Sequence, residues 1–85
     1  MMMPWLSIIV PVLNEAAKIN GLISSIRGVT TEPGLVEIIV VDGGSQDESV
    51  VLSAGADQVL FSEPGRSSQM NVGARHSRGE VLLFL

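Results

Sequence analysis

The feature that most constrains the fold is a pair of continuous apolar runs separated by one helical pattern. The runs are "LSIIVPV", from Leu6 to about Val12, and "VEIIVV", residues 36–41. Both are rich in β-branched residues and neither alternates with polar ones, which is typical of strands buried on both faces of a sheet. Between the runs, apolar residues recur at helical spacing: Ile19, Leu22, Ile23 and Ile26. This arrangement predicts a parallel β-α-β unit.

The rest of the chain repeats the same alternation. "DQVLFS" predicts a weaker third strand, "GRSSQMNVGARHS" a third helix and "GEVLLFL" a fourth strand. Asn14 is expected to cap the first helix, which ends around "GVTTEPG". Ser45 and Glu48 form the S-x-x-E pattern of a capping box at the start of a short second helix. Gly73 and Ala74 would let the third helix pack closely on the sheet.

The predicted order is therefore β-α-β-α-β-α-β. The fold class is α/β, a Rossmann-like three-layer sandwich with a mostly parallel sheet and helical crossovers. The last run, "VLLFL", reaches the end of the sequence without a turn or a polar tail. A central-type strand in that position exposes an unpaired edge, so we expect residues 1–85 to be the N-terminal part of a larger domain whose remainder is absent.

Length and charge exclude several classes of protein. The 85 residues form at most one domain, near the lower limit for a self-sufficient core. The formal net charge of −4 argues against a nucleic-acid groove, which needs a basic surface. The chain contains no cysteine, which excludes disulfides and thiolate metal sites and fits a cytoplasmic location. "MMMPWLS" lacks the features of a signal peptide, and no apolar run approaches the roughly 20 residues that span a bilayer.

Candidate ligand-binding residues follow the first three strands. In open α/β sheets, ligands bind at the C-terminal ends of the strands. The segments expected there are "PVLNE", "DGGS" and "SEPGR", which supply Asn14, Glu15, Asp42, Ser45 and Arg66. Neither G-x-G-x-x-G after the first strand nor G-x-x-x-x-G-K-[ST] occurs, so the usual dinucleotide and P-loop sites are excluded.

Asp42 is the most informative of these residues because an acid ends a strand just before two glycines. A carboxylate there can accept hydrogen bonds from the N–H and hydroxyl groups of a base or ribose, and the glycines let the backbone approach a flat ring. The alternative is that Asp42 only caps its own turn. Glu15 has a similar alternative in the dipole of the first helix, and Arg66 in simple solvation. Ser45, Asp47 and Glu48 are interpreted as capping residues.

Three blocks, taken together and in order, resemble a known family. "SIIVPVLNE", "EIIVVDGGSQD" and "GRSSQMNVGA" leading into "GEVLLFL" are similar to the start of family-2 glycosyltransferases of the GT-A fold. The third block resembles the subgroup named for its association with radical-SAM and selenodomain proteins. The resemblance spans Ser7 to Leu85. One departure is that Gly43 stands where the common "DDGS" turn has its second acid.

The resemblance implies roles for particular residues. The segment from Pro11 through Asn14 to Glu15 is expected to line a nucleotide pocket, with Glu15 close to the nucleoside. Asp42 is expected to read the base, usually uracil, above a floor that includes Gly43. Arg66 is expected to contact the nucleotide. We therefore expect these residues to converge at one edge of the sheet, with the Asp42 carboxylate facing open space.

The implied activity is transfer of a sugar from a nucleotide-sugar donor, UDP-linked, to an unknown acceptor. The resemblance places the acidic motif for Mg²⁺ or Mn²⁺ beyond Leu85, and it assigns no catalytic residue to this chain. The alternative is a truncated, non-catalytic nucleotide-binding fragment that self-associates through an exposed fourth strand, which this fold places beside the first. A nucleotidyltransferase is disfavoured because no glycine-rich, basic loop follows the first strand.

Overall fold

A computed structural model describes residues 4–29, 32 and 34–85 of the chain. The predicted order of elements is confirmed. The strands are β1 (Leu6–Val12), β2 (Val36–Asp42), β3 (Gln58–Phe61) and β4 (Val81–Phe84), and the helices are α1 (Ala16–Val29), α2 (Ser49–Leu52) and α3 (Arg66–His76). Part of the predicted end of α1, at residues 30, 31 and 33, lies outside the described residues. No helix in the described part of the chain is long and apolar enough to cross a membrane.

The strands form one parallel sheet in the order β3-β2-β1-β4. β1 and β2 pair along their whole length, from Leu6 opposite Val36 to Val12 opposite Asp42. Because the two strands end in register, the loops that follow them leave the sheet side by side. β4 lies beside β1, as predicted, and pairs with it from Leu6 to Ile9.

The two central strands carry a core on each face, as their continuous apolar runs predict. Even-numbered residues of β1 and β2 pack on the α1 face, where Ile19 and Ile23 are buried, and odd-numbered residues form a second cluster that includes Val72 of α3. Gly73 brings α3 close to the sheet, because a Cβ atom there would lie 2.5 Å from Cγ2 of Ile9. The three-layer α/β class and the close packing at Gly73 are thus confirmed.

The carboxylate of Glu37 is buried at the N-terminal edge of the sheet. The side chain of Glu37 is 2% exposed, and it accepts hydrogen bonds from the Ser7 hydroxyl at 2.8 Å and from the backbone N–H of Arg78 at 2.9 Å. The Arg78 guanidinium forms a 2.9 Å ion pair with the same carboxylate. Burial raises the pKa of Glu37, but these hydrogen bonds and the Arg78 charge outweigh it and leave the pKa below its ordinary value.

The same edge depends on a glycine. The N–H of Gly79 donates to the Ser7 hydroxyl at 2.8 Å. A Cβ atom on Gly79 would lie 2.6 Å from the backbone nitrogen of Ser7, a contact that real Cβ atoms do not make. Gly79 therefore lets the segment before β4 lie directly against β1.

β4 is one of the two edge strands of the sheet. Its residues and Leu85 are all apolar and are each between 38% and 44% exposed. On its outer side β4 has no neighbouring strand within the described part of the chain. An apolar edge strand of this kind is a template for pairing with another chain. Self-association through β4 stays a prediction.

The predicted helix caps at Asn14 and at Ser45 with Glu48 are wrong. The carbonyl of Glu15, not of Asn14, accepts the first helical bonds of α1, and the Asn14 amide oxygen instead accepts from the N–H of Gln46. Helix α2 begins only at Ser49, and Glu48 before it makes no side-chain cap bond. The Ser45 hydroxyl donates to Asp42 instead. At the start of α1, the bonds come instead from side chains that are remote in the sequence.

Candidate functional site

The turn after β2 is built around Asp42. Its carboxylate accepts hydrogen bonds from the N–H groups of Gly44 at 2.9 Å and Ser45 at 2.8 Å, and from the Ser45 hydroxyl. Asp42 is only 3% exposed. The expectation that this carboxylate faces open space is therefore wrong. The short side chain of an aspartate before Gly-Gly can accept hydrogen bonds from the backbone amides that follow. These bonds satisfy a charge that would be costly to bury unpaired. The turn-capping alternative describes the carboxylate in this structure.

Asn14 joins the loop after β1 to this turn. Its backbone has φ of 53°, a left-handed conformation that asparagine tolerates better than most residues. The N–H of Asn14 donates to the Ser45 hydroxyl oxygen at 2.9 Å, and its side-chain oxygen accepts from the N–H of Gln46 at 2.8 Å. These reciprocal bonds fix the two loops relative to each other.

A second pair of bonds extends the link to the start of α1. The N–H of Glu15 donates to the Ser49 hydroxyl at 2.8 Å, and the N–H of Ala16 donates to the Asp47 carboxylate at 3.2 Å. The hydrogen bond from the Ser49 hydroxyl is the main cause that lowers the pKa of Asp47. Asp47 and Ser49 thus cap α1 from across the sheet edge, while the side chain of Glu15 is exposed. The interpretation of Asp47 as a capping residue is confirmed: its carboxylate accepts from the first N–H of α1, and also from that of Ser49 at the start of α2 at 2.9 Å.

Gln69 lies beneath the turn, and the sequence interpretation missed it. It is 5% exposed, and its side-chain amide donates to the carbonyl oxygens of Val12 at 3.0 Å and Val41 at 2.9 Å. The N–H of Gly43 donates to the same Val12 carbonyl at 2.9 Å. The sequence signal that could have identified Gln69 is its spacing. It lies three and four residues before Val72 and Gly73, which places a polar residue on the helix face that packs on the sheet.

Pro11 and Arg66 lie near the end of β1 on the side of β4. β4 pairs with β1 only as far as Ile9, so Pro11, which has no N–H, lies where β1 has lost that neighbour. Arg66 is the first residue of α3, and its guanidinium donates to the carbonyl of Leu85 at 2.6 Å. In the sheet order, β1 separates β4 from the Asp42 turn. The structure therefore joins Asn14, the Glu15 backbone and Asp42 through hydrogen bonds, whereas Arg66 contacts the end of β4.

Two further features define what this surface offers. Among residues 4–29, 32 and 34–85, no three His, Asp or Glu side chains are grouped closely enough to hold a metal ion. An open cleft of about 270 Å³ lies between the loop after β3 and the outer face of α3. None of the predicted site residues lines this cleft. Its lining residues are Ser62, Glu63, Ser68, Asn71, Val72 and Arg75.

Comparison with known proteins gives consistent matches. The family model described as glycosyl transferase family 2 matches residues 7–85. The glycosyltransferase AglE of Haloferax volcanii is 32% identical over 91 residues, which cover 98% of this chain and 30% of that protein. An uncharacterized glycosyltransferase of Haemophilus influenzae is 37% identical over 84 residues, which cover 94% of this chain and 28% of that protein. The chain thus spans about a third of the length of these relatives.

Solved structures match to a similar extent. Glucosyl-3-phosphoglycerate synthase from Mycobacterium tuberculosis, in complex with Mn²⁺, UDP and glucosyl-3-phosphoglycerate, superposes with a TM-score of 0.77 at 28% identity. The match covers 96% of this chain and 33% of that one. The mannosyltransferase PcManGT from Pyrobaculum calidifontis, in complex with GDP-Man and Mn²⁺, superposes with a TM-score of 0.78 at 22% identity, over 96% and 27% of the two chains. These structures share the GT-A fold.

Proposed function

The chain belongs to glycosyl transferase family 2, and from this premise we propose that it forms the nucleoside-binding part of an enzyme that transfers a sugar from a UDP-linked donor to an acceptor. The choice of UDP is supported by the synthase with 28% identity, whose complex contains UDP. The nucleotide-binding residues in this proposal are Pro11, Asn14, Glu15, Asp42, Gly43 and Arg66.

The observation that carries the proposal is the hydrogen-bonded link between the loops after β1 and β2. The link contains no long charged side chain. The N–H of Asn14 donates to the Ser45 hydroxyl oxygen, and the Asn14 side-chain oxygen accepts from the N–H of Gln46. Surfaces that are ordered before the ligand arrives bind it at a lower entropic cost. We refer to the Gly43–Ser45 turn together with Asn14 as the floor. The glycines of this turn let a nucleoside ring approach the backbone closely.

Within this floor, Asp42 acts mainly on the turn. A carboxylate has about four lone-pair positions, and the bonds from Gly44 and Ser45 use three of them. Asp42 therefore acts by fixing the turn on which the base would lie, because its buried carboxylate is bonded to that turn. Arg66 donates to the backbone oxygen of Leu85 at an exposed position, and its guanidinium suits a charge-assisted bond to a phosphate oxygen.

A divalent metal enters the proposal only through the longer protein. The solved relatives bind Mn²⁺ or Mg²⁺ together with a nucleotide, and such an ion neutralises the charge of a diphosphate leaving group. The described residues of this chain do not form a cluster that fits the ion. The Asp42 carboxylate is bonded to its own turn, so the carboxylate ligands of the ion are proposed to follow β4 in the longer protein.

Titration calorimetry of the 85-residue chain with UDP tests the proposal. We expect weak binding, with less than a tenfold change on adding Mg²⁺ or Mn²⁺, and no turnover of a UDP-sugar. Asp42→Ala should weaken UDP binding by about 1 to 3 kcal/mol. The matched control is Glu80→Ala, an exposed acid at the opposite edge of the sheet. Absence of UDP binding, or equal affinity in Asp42→Ala and Glu80→Ala, would overturn the proposal.

The exposed β4 strand favours the second candidate, a non-catalytic fragment that self-associates. Apolar edge strands pair with other chains, and β4 is exposed along its length. Light scattering of the chain at increasing concentration tests this directly. A monomer at all concentrations would exclude self-association through β4 and leave the donor-binding proposal unaffected.

A further inference from the structure

We infer that Gln69 is a positioning residue for the nucleoside floor, and that Gly43 is a glycine because the Gln69 amide occupies the space of its side chain. The inference rests on the proposed function, since it assigns Gln69 a role in binding the same donor. Gln69 itself contacts no proposed ligand. It acts through the turn that follows β2.

The orientation of the Gln69 amide is fixed by its surroundings. Both atoms within hydrogen-bond distance are carbonyl oxygens, of Val12 at 3.0 Å and of Val41 at 2.9 Å. Only the NH₂ end of the amide can donate to them, so both of its hydrogens are used. With 5% exposure, Gln69 is a buried donor that ties the C-terminal end of β1 to that of β2.

Gly43 packs against the Gln69 amide. Its φ is outside the left-handed range, so its backbone conformation does not require glycine. A Cβ atom at this position would lie 3.0 Å from Cδ, 3.1 Å from Oε1 and 3.2 Å from Nε2 of Gln69. The amide plane therefore packs flat against Gly43, and a side chain there would press on the amide that holds the strand ends.

Gln69 also connects this turn to the start of α3. The carbonyl of Val12 accepts from both Gly43 and Gln69, and the N–H of Gln69 donates to the carbonyl of Gly65 at 3.0 Å. Arg66 lies one helical turn before Gln69. The Gln69 side chain thus sets the position of the floor. Its backbone belongs to α3, the helix that begins at Arg66.

The test compares two glutamines that make the same kind of bond. Gln69→Leu removes both donors and keeps a similar volume. Gln58→Leu is the matched control, because the Gln58 amide donates to the carbonyl of His76 at 3.1 Å, in an exposed position at the other end of α3. UDP affinity is measured by calorimetry at a temperature where circular dichroism shows each variant fully folded. A purely structural role would change the melting temperature but not this affinity.

We expect Gln69→Leu to lower UDP affinity by about tenfold or more and Gln58→Leu to leave it unchanged. If the unsubstituted chain binds UDP and Gln69→Leu binds it equally well, the inference fails and the proposed function stands. If the unsubstituted chain binds no UDP, the proposed function fails, and this inference fails with it.

A second pair of variants covers the case in which Gln69→Leu does not fold. Gly43→Ala should lower UDP affinity and thermal stability because its Cβ displaces the Gln69 amide. In a Gln69→Ser background, where the amide is absent, adding Gly43→Ala should have a much smaller effect on both quantities. Equal effects in the two backgrounds would show that residues 43 and 69 are not coupled and would overturn the inference.

Discussion

Strand β2 carries a buried carboxylate at each end, and the two are satisfied in opposite ways. Glu37 is 2% exposed and is held by Ser7 and Arg78, which lie 30 and 41 residues away in the sequence. Asp42 is 3% exposed and is held by Gly44 and Ser45, which lie two and three residues further along the chain. Glu37 therefore joins distant parts of the fold, whereas Asp42 shapes a single turn.

The difference separates a structural edge from a binding edge. At the N-terminal edge, Gly79 and Arg78 cover the end of the sheet and leave Glu37 no free side. At the C-terminal edge, the bonds around Asp42 fold inward and leave Gly44 and Asn14 exposed above it. Ligand-binding residues are commonly placed on loops held by a rigid scaffold. In this chain the scaffold is the Glu37 end of the same strand.

The largest expected effect comes from Glu37→Ala. It removes the acceptor shared by Ser7 and Arg78 and leaves buried donors unpaired, so the free energy of unfolding should fall by about 3 kcal/mol. Urea unfolding followed by circular dichroism measures this, with Glu80→Ala as the exposed control. A loss below about 1 kcal/mol would show that Glu37 contributes no more than a surface ion pair.

The glycines at the two edges should differ in a second comparison. Gly79→Ala should lower the free energy of unfolding by about 2 kcal/mol, because its Cβ would clash with the Ser7 backbone. Gly44→Ala should cost about 1 kcal/mol, because φ at Gly44 is 108° but the space around it is open. The reverse order would mean that backbone strain outweighs packing here. Urea unfolding of both variants under the same conditions gives the ranking.

Asp42→Ala should lower the free energy of global unfolding by only about 1 kcal/mol, because its bonds are local. Its main effect should be on the turn itself. Amide hydrogen exchange at Gly44 and Ser45 should accelerate strongly, while exchange at Ile38 and Ile39 in the middle of β2 should change little. If the middle of β2 loses protection as much as the turn, the contrast between the two carboxylates would not hold.

The smallest effect concerns pH. Because the folded-state pKa of Glu37 is below its ordinary value, ionised Glu37 contributes stability at neutral pH. That contribution should be lost as the pH falls below about 4.3, the ordinary glutamate value, and through the lower folded value. The stability difference between the unsubstituted chain and Glu37→Gln should shrink over this range. Asp47 also has a lowered pKa, so some pH dependence should remain in Glu37→Gln.

The fold could be predicted from the sequence because apolar periodicity reports it directly. The continuous runs of β1 and β2 predicted two buried, parallel strands, and the remaining alternation predicted the later elements; these predictions are confirmed. The sequence pattern indicates Glu37 only as part of an apolar run. A charged residue inside such a run indicates a buried partner, but its sequence neighbours could not identify Arg78.

The details of the candidate site depended on distance in space. The sequence predicted that the loops at Asn14 and Asp42 would meet at one sheet edge, and hydrogen bonds join them. It could not show that Asp42 turns inward, because a carboxylate before Gly-Gly can face either its own turn or a ligand. The caps of α1 come from Asp47 and Ser49, more than 30 residues away, so no local pattern revealed them. The nucleotide-binding roles themselves stay predictions.

Of the two acids, Glu37 also favours one alignment of β1 with β2, whereas the bonds of Asp42 stay within its own turn. The residues between them, Ile38 to Val41, are so similar to Ile8, Ile9 and Val10 that apolar contacts barely distinguish one alignment from another two residues away. Glu37 lies opposite Ser7, and Asp42 lies opposite Val12. A shift of two residues would place Glu37 opposite Trp5 or Ile9, beyond the Ser7 hydroxyl, with its charge buried and unpaired. Glu37 thus selects one alignment among near-equivalent ones, which the apolar core of this sheet cannot do alone.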